Sequence, residues 1–256
     1  MRTLKLTLAY DGTAYAGWQV QQGQVTVQEV LETAIEKVTG RRVRTIASGR
    51  TDAGVHALGQ VVGFGTESNL PTEVLQRALN AELPRDVAVL HLAEVPDGFH
   101  AIRDAVRKRY RYVIRDGPVR DVFRLRYCWH YPRGRLDAEA MARAAGTLLG
   151  THDFASFETS GAERKDSIRT IDELRVERGR GEQGHSITIE VEADGFLYNM
   201  VRAIVGTLVE VGRGARPESW VAEVLAAVDR RTAGPTAPPQ GLFLVRVDYE
   251  GRGIDD

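Results

Sequence analysis

Thr26-Val27-Gln28-Glu29-Val30-Leu31-Glu32-Thr33-Ala34-Ile35-Glu36-Lys37-Val38-Thr39-Gly40 reads as a helix with both ends marked. Thr26 and Glu29 have the spacing of a capping box, in which hydroxyl and carboxylate satisfy the first unpaired amides of a helix. Val27, Val30, Leu31, Ala34, Ile35 and Val38 recur every three or four residues and share one face. Gly40 is a natural stop, because glycine turns left-handed without a Cβ penalty. Before this helix, Leu4, Leu6, Leu8 and Tyr10 alternate as a half-buried strand that ends at Asp11-Gly12. After it, strands are predicted over 43–48 and 56–66, a helix opened by Pro71 and closed before Pro84, and a strand over 87–95. The order is βαββαβ.

The same order recurs further on: a strand over 106–115, a helix over 137–149, strands over 168–177 and 186–194, and a helix over 197–211. An extra helix over 217–229 and a last strand over 242–249 complete it. The fold class expected is therefore α+β, as two tandem ferredoxin-like βαββαβ halves, residues 1–104 and 105–256, with sheets side by side and a cleft between them. Gly179-Arg180-Gly181-Glu182-Gln183-Gly184 reads as a hairpin connection, and 235–239 as a stiff approach to the last strand.

Composition narrows the class. A chain of 256 residues, 43% hydrophobic, is ample for a packed core and excludes disorder as the default. A single cysteine, Cys128, cannot form an internal disulfide, and the six histidines lack ligand spacing, so no metal is expected. The start alternates polar and apolar residues where a signal peptide would carry an apolar core, and no run reaches membrane-spanning length, so a soluble cytoplasmic protein is expected. The formal net charge is -1, yet nine basic residues face three acids between Arg103 and Arg126, with Tyr110, Tyr112, Phe123 and Tyr127 interleaved. That mixture suits phosphate contact plus base stacking, and equally a solvated strand face alternating Arg with Tyr.

Ser48-Gly49-Arg50-Thr51-Asp52-Ala53-Gly54-Val55-His56-Ala57 sets a carboxylate beside a guanidinium in a turn that leads into a strand. An isolated Thr-Asp-Ala-Gly is usually an Asx-type turn. These ten residues, however, closely resemble the signature of the TruA family of tRNA pseudouridine synthases. The resemblance extends over Tyr10-Asp11-Gly12-Thr13 with Gly17-Trp18-Gln19, Arg109-Tyr110-Arg111-Tyr112, Gly150 to Phe157, Ala193 to Leu208, and Gly241 to Tyr249. It covers nearly the whole chain.

The resemblance implies isomerisation of uridine to pseudouridine at positions 38, 39 and 40 of the tRNA anticodon arm, by a homodimer and without cofactor or metal. Asp52 is the implied nucleophile. An ionised carboxylate there can attack the ribose anomeric carbon, attack the pyrimidine ring, or stabilise a glycal-like intermediate. Arg50 is implied to contact it and to occupy the space left by an extruded base. Tyr110 is implied to line the site, by stacking on the base or relaying a proton, against the alternative of a strand tyrosine in the core. Arg202 lies on an otherwise apolar helix, and the family places the equivalent arginine near the catalytic carboxylate; the alternative is an arginine that snorkels to solvent. Leu244 is expected in an apolar pocket wall. Arg107, Lys108, Arg109, Arg111, Trp18 and Gln19 are candidate RNA contacts, with a packed Trp18 as the alternative. One departure from the family pattern follows Phe99-His100-Ala101, where Ile102 precedes Arg103. Rival readings are a non-catalytic RNA-binding protein and an aspartyl-nucleophile hydrolase. The first lacks paired stacking aromatics in its central strand, and the second lacks a phosphate loop and metal carboxylates.

Overall fold

Strand β1 (Arg2–Tyr10) buries Leu4, Leu6, Leu8 and Tyr10, as their alternation requires. After one turn of 3-10 helix (Gly12–Ala14) come α1 (Val27–Thr39), β2 (Ile46–Ala47), β3 (His56–Thr66), α2 (Thr72–Glu82) and β4 (Val87–Val95). In the computed structural model the described residues are 1–159, 166–180 and 184–250. β1 runs antiparallel to β3, with Leu4 opposite Phe64 and Leu6 opposite Val62, and antiparallel to β4 on its other side. β2 pairs antiparallel with β3, which gives the order β4-β1-β3-β2.

The α1 ends match their sequence signals: the Thr26 hydroxyl accepts from the Glu29 amide at 3.4 Å, and Gly40 has φ 75°. β2 is shorter than the predicted 43–48 because Thr45 turns to α1 instead of β3. Its amide and hydroxyl both donate to the buried Glu32 carboxylate, at 2.8 and 3.0 Å. Gln28 donates to the same oxygen, so the helix face carries a satisfied polar knot among its apolar residues.

β5 (Ala105–Asp116) is followed by β6 (Trp129–Tyr131), α3 (Ala138–Ala145), β7 (Gly150–Asp153), β8 (Ile168–Arg178), β9 (Ser186–Ala193), α4 (Met200–Gly212), α5 (Trp220–Ala227) and β10 (Leu242–Tyr249). The fold is a mixed α+β one, with five α-helices among the described residues. β7, β8 and β9 form antiparallel pairs, and β6 lies parallel to β5 with Ile114 opposite Trp129. β6 and β7 are additions to the predicted elements. Of the expected Gly179–Gly184 hairpin, residues 181–183 lie outside those described.

The chain divides into two compact units: Met1–Lys108 with the chain from Phe243 onward, and Arg109–Leu242. β10 runs parallel to β3, with Phe243 opposite His56 and Leu244 opposite Ala57. The closing strand, read from the sequence as the end of a 105–256 half, thus belongs to the first unit.

Candidate active site

Asp52 lies half-buried in the turn that feeds β3, and its carbonyl accepts from the Val55 amide at 3.1 Å. The turn is held from several directions within the first unit. The Trp18 amide donates to the Thr51 carbonyl at 2.9 Å, and the Tyr10 hydroxyl meets the Thr51 hydroxyl at 2.8 Å. Burial pushes the Tyr10 phenol up to about 12, so it stays a neutral hydroxyl. Gly12 passes so close that a Cβ there would sit 2.0 Å from the Val55 carbonyl oxygen. The Gly12 amide donates to His56 Nδ1 at 3.0 Å, and the His56 ring stacks on Phe243 with centroids 4.8 Å apart.

The entry to the turn is fixed as well. Gln60 takes the Ser48 hydroxyl at 2.7 Å and donates to the Gly49 carbonyl at 2.7 Å. Lys108 Nζ donates to the Ser48 carbonyl at 2.5 Å. Backbone held at both ends of a short turn confines the Asp52 main chain between them.

The sequence-predicted residues of this unit separate by environment. Arg50 is exposed, Leu244 is fully buried, and Gln19 is partly exposed. Trp18, a candidate RNA contact, is 2% exposed with its ring 6.3 Å from that of Tyr10, so it packs inside and supports the Asp52 turn through its backbone. Lys108 puts its ammonium on that turn too, while Arg107 is exposed.

In the second unit Tyr110 is 8% exposed and meets Phe196 edge to face, centroids 4.9 Å apart at 81°. Arg202 Nε donates to the Ala237 carbonyl at 2.7 Å and Nη1 to Asn199 Oδ1 at 2.8 Å. Asn199 has φ 62° just before α4, which explains why this helix begins at Met200 and not at 197. Arg109 is clasped by Glu173, Glu190 and Glu192 at 2.6, 3.1 and 2.9 Å. Arg111 joins Glu190 at 2.7 Å; although burial alone would raise the Glu190 carboxyl, the two guanidiniums hold it below its usual range. These two candidate RNA contacts have their charge matched by acids of β8 and β9.

Sequence reasoning missed the supports: Tyr10, Thr51, Gln60, His56 and Asn199. The signal available was the pair of glycines in the opening block, which mark close backbone approach without saying to what. Among the described residues no group of His, Cys, Asp or Glu side chains is placed to hold a metal ion, and no helix is long and apolar enough to cross a membrane.

The turn around Asp52 is anchored at both ends, and comparison with known proteins says in which class the chain falls. The family model described as "tRNA pseudouridine synthase" matches residues 7–103 and 144–250. The chain belongs to that family, in its TruA branch, and is an RNA-modifying isomerase of tRNA processing. It is 49% identical over 251 residues to tRNA pseudouridine synthase A of Thermoanaerobacter sp. (strain X514), covering 97% of this chain and 100% of the relative. It is 48% identical over 249 residues to the protein of the same name from Brevibacillus brevis, with the same coverage. Among solved structures it is similar to an H/ACA RNP bound to a substrate RNA containing 2'-deoxyuridine, at TM-score 0.38 and 12% identity over 80% of this chain and 44% of that one.

Proposed function

We propose that the protein converts uridine to pseudouridine at positions 38, 39 and 40 in the anticodon stem and loop of tRNA, with Asp52 as nucleophile and no cofactor. The observation that carries this reading is the doubly anchored Ser48–His56 turn, with its single half-buried carboxylate, in a chain of this family. The isomerisation breaks the N1–C1' bond, turns the uracil, forms C5–C1', and returns the C5 proton to N1 by way of solvent or a base, so nothing is gained or lost overall. Asp52 takes up C1', or the ring, or stabilises a glycal while the base turns.

A base within a stem must be extruded first, at a cost of a few kcal/mol. Arg50, exposed and two residues from Asp52, is proposed to fill the vacancy. Tyr110 is proposed to stack on the target uracil, Arg202 to bind substrate, and Leu244 to shape the apolar wall. The strand order β4-β1-β3-β2 with two helices supports a ferredoxin-like plan for the first unit, and the same plan with added strands is proposed for the second. A cytoplasmic homodimer completes the reading.

The test is Asp52→Asn, nearly isosteric and far less nucleophilic. Pseudouridine in digested tRNA is expected to vanish while tRNA affinity is kept; turnover persisting in a clean preparation refutes the role. Wild-type protein that binds tRNA without producing carbon-linked uridine would favour a binding protein instead.

A further inference from the structure

The structure splits the arginine-rich stretch that the sequence showed as one cluster. Arg109 and Arg111 are matched by glutamates, Arg103 lies on Asp104 at 2.8 Å, and Lys108 holds the Ser48 carbonyl. What stands apart is the turn 118–127. It exposes Val119, Val122 and Phe123 to 84%, 64% and 89%, with Leu125 and Tyr127 also exposed. Arg120, Arg124 and Arg126 stand between them, all exposed, and the turn has one acid and no lysine.

This turn is built, because its own bonds hold it. The Asp121 carboxylate accepts from the Phe123 amide at 3.1 Å and lies 3.6 Å from Arg124 and 3.8 Å from Arg115. The Arg124 amide donates to the Asp121 carbonyl at 3.1 Å, the Tyr127 amide to the Arg124 carbonyl at 2.8 Å, and the buried Cys128 thiol to the same carbonyl at 3.1 Å. The single acid is thereby used inward. Apolar and aromatic side chains are presented outward on fixed backbone, so a ligand need not order the main chain when it arrives.

We propose that the turn 118–127 is a docking surface for tRNA, with Phe123 stacking on an unpaired base and Arg120 contacting a flanking phosphate. Charge selects this occupant, since arginines around exposed rings match a polyanion that carries π-faces. The proposal rests on tRNA being the substrate and names where that substrate is gripped beyond the reacting nucleotide.

The experiment measures binding of unmodified tRNA to the full chain, in an Asp52→Asn background so that turnover plays no part, between about 50 and 200 mM salt, the range over which phosphate contacts show. Phe123→Ala is expected to weaken binding about tenfold, the share of one base–aromatic stack, and Phe123→Tyr to restore it. Arg120→Ala is expected to lower the salt slope by about one. With Asp52 restored, these variants raise the KM for tRNA, and thermal unfolding and sedimentation stay as in the parent. Unchanged affinity and salt slope overturn the proposal. A change of sedimentation in Phe123→Ala also overturns it and assigns the turn to a contact between copies. If the wild type makes no pseudouridine while Phe123→Ala still loses tRNA, the functional reading fails and this surface stands.

Discussion

Gly17 has φ 94°, and a Cβ built on it would lie 2.6 Å from the Thr51 carbonyl oxygen and 3.1 Å from both the Asp52 carbonyl carbon and the Ala53 amide. All three neighbours are backbone, so no rotamer can yield and the peptide of Asp52 itself must move. Gly40 also has positive φ, at 75°, but nothing lies near its missing Cβ. The two glycines therefore separate strain from contact. Gly40→Ala is expected to cost about 1–2 kcal/mol of stability, the left-handed penalty, and to leave the rate alone. Gly17→Ala carries that penalty and also displaces the carboxylate, so single-turnover pseudouridine formation is expected to fall by about 10²-fold. A wild-type rate in Gly17→Ala would detach the opening block from the chemistry. The sequence displayed both partners of this contact, Gly17 and Asp52, but not that they touch. They are distant in the chain, and only tertiary packing brings a loop after β1 against a turn before β3. Trp18 was ambiguous for a related reason, since a tryptophan in a polar loop suits a ligand or a core equally and burial alone decides.

At the scale of elements, long periodic segments were legible and short ones were not. α1, α2 and β1 carry a full apolar period and terminal signals, whereas β6 has three residues and β7 four, too few to show alternation. The glutamate partners of Arg109 and Arg111 were not legible, because an alternating Arg-Tyr strand looks the same whether or not its arginines meet the acids of β8 and β9. α4 shows how a helix can be legible while its glycine is not. Inside a helix Gly206 reads as a defect, worth about 1 kcal/mol of stability if replaced by alanine. In the structure a Cβ on Gly206 would fall 1.6 Å from the Pro235 carbonyl oxygen. The segment after α5 lies directly on the helix there: the Gly234 amide donates to the Thr207 hydroxyl at 3.0 Å, and the Ala237 amide to the Arg202 carbonyl at 3.0 Å. Gly206→Ala is accordingly expected to destabilise by about 1–3 kcal/mol, as overpacking does, reversing the sign that helix propensity gives. It should also loosen Arg202, whose Nε is held by the Ala237 carbonyl, so denaturant unfolding and tRNA turnover are both to be measured. A more stable variant would show that the strap yields.

At the scale of the whole molecule, the β10 pairing was beyond the sequence, because a last strand reads alike whether it closes its own half or returns to β3. So was the knot around Asp116, which ends β5 with its side chain 0% exposed. Arg178, at the end of β8, grips both carboxylate oxygens at 3.0 and 2.7 Å, and the Leu136 amide donates to Asp116 Oδ2 at 2.9 Å. Arg178 also donates to the carbonyls of Leu136 and Gly184, so one ion pair ties a strand end, a second strand end and the lead-in to α3. Burial alone would raise the Asp116 carboxyl; the Arg178 guanidinium and the Leu136 amide outweigh it and hold the group below its ordinary 3.8. A carboxyl depressed on folding stabilises the native state at pH above its unfolded value, and that contribution is lost as pH falls through the lower folded value. At neutral pH, Asp116→Asn leaves a part-buried guanidinium without its counter-charge and is expected to cost about 2–3 kcal/mol, below the range for a fully buried pair. As the pH falls below 3.8 the unfolded chain takes up this proton before the native carboxyl does, and the stability gap between the two proteins is expected to narrow. Urea unfolding of both proteins from pH 7 down to pH 3 reads this directly. A gap that stays constant across the range would mean that the side chain acts by shape and hydrogen bonding and its charge contributes nothing.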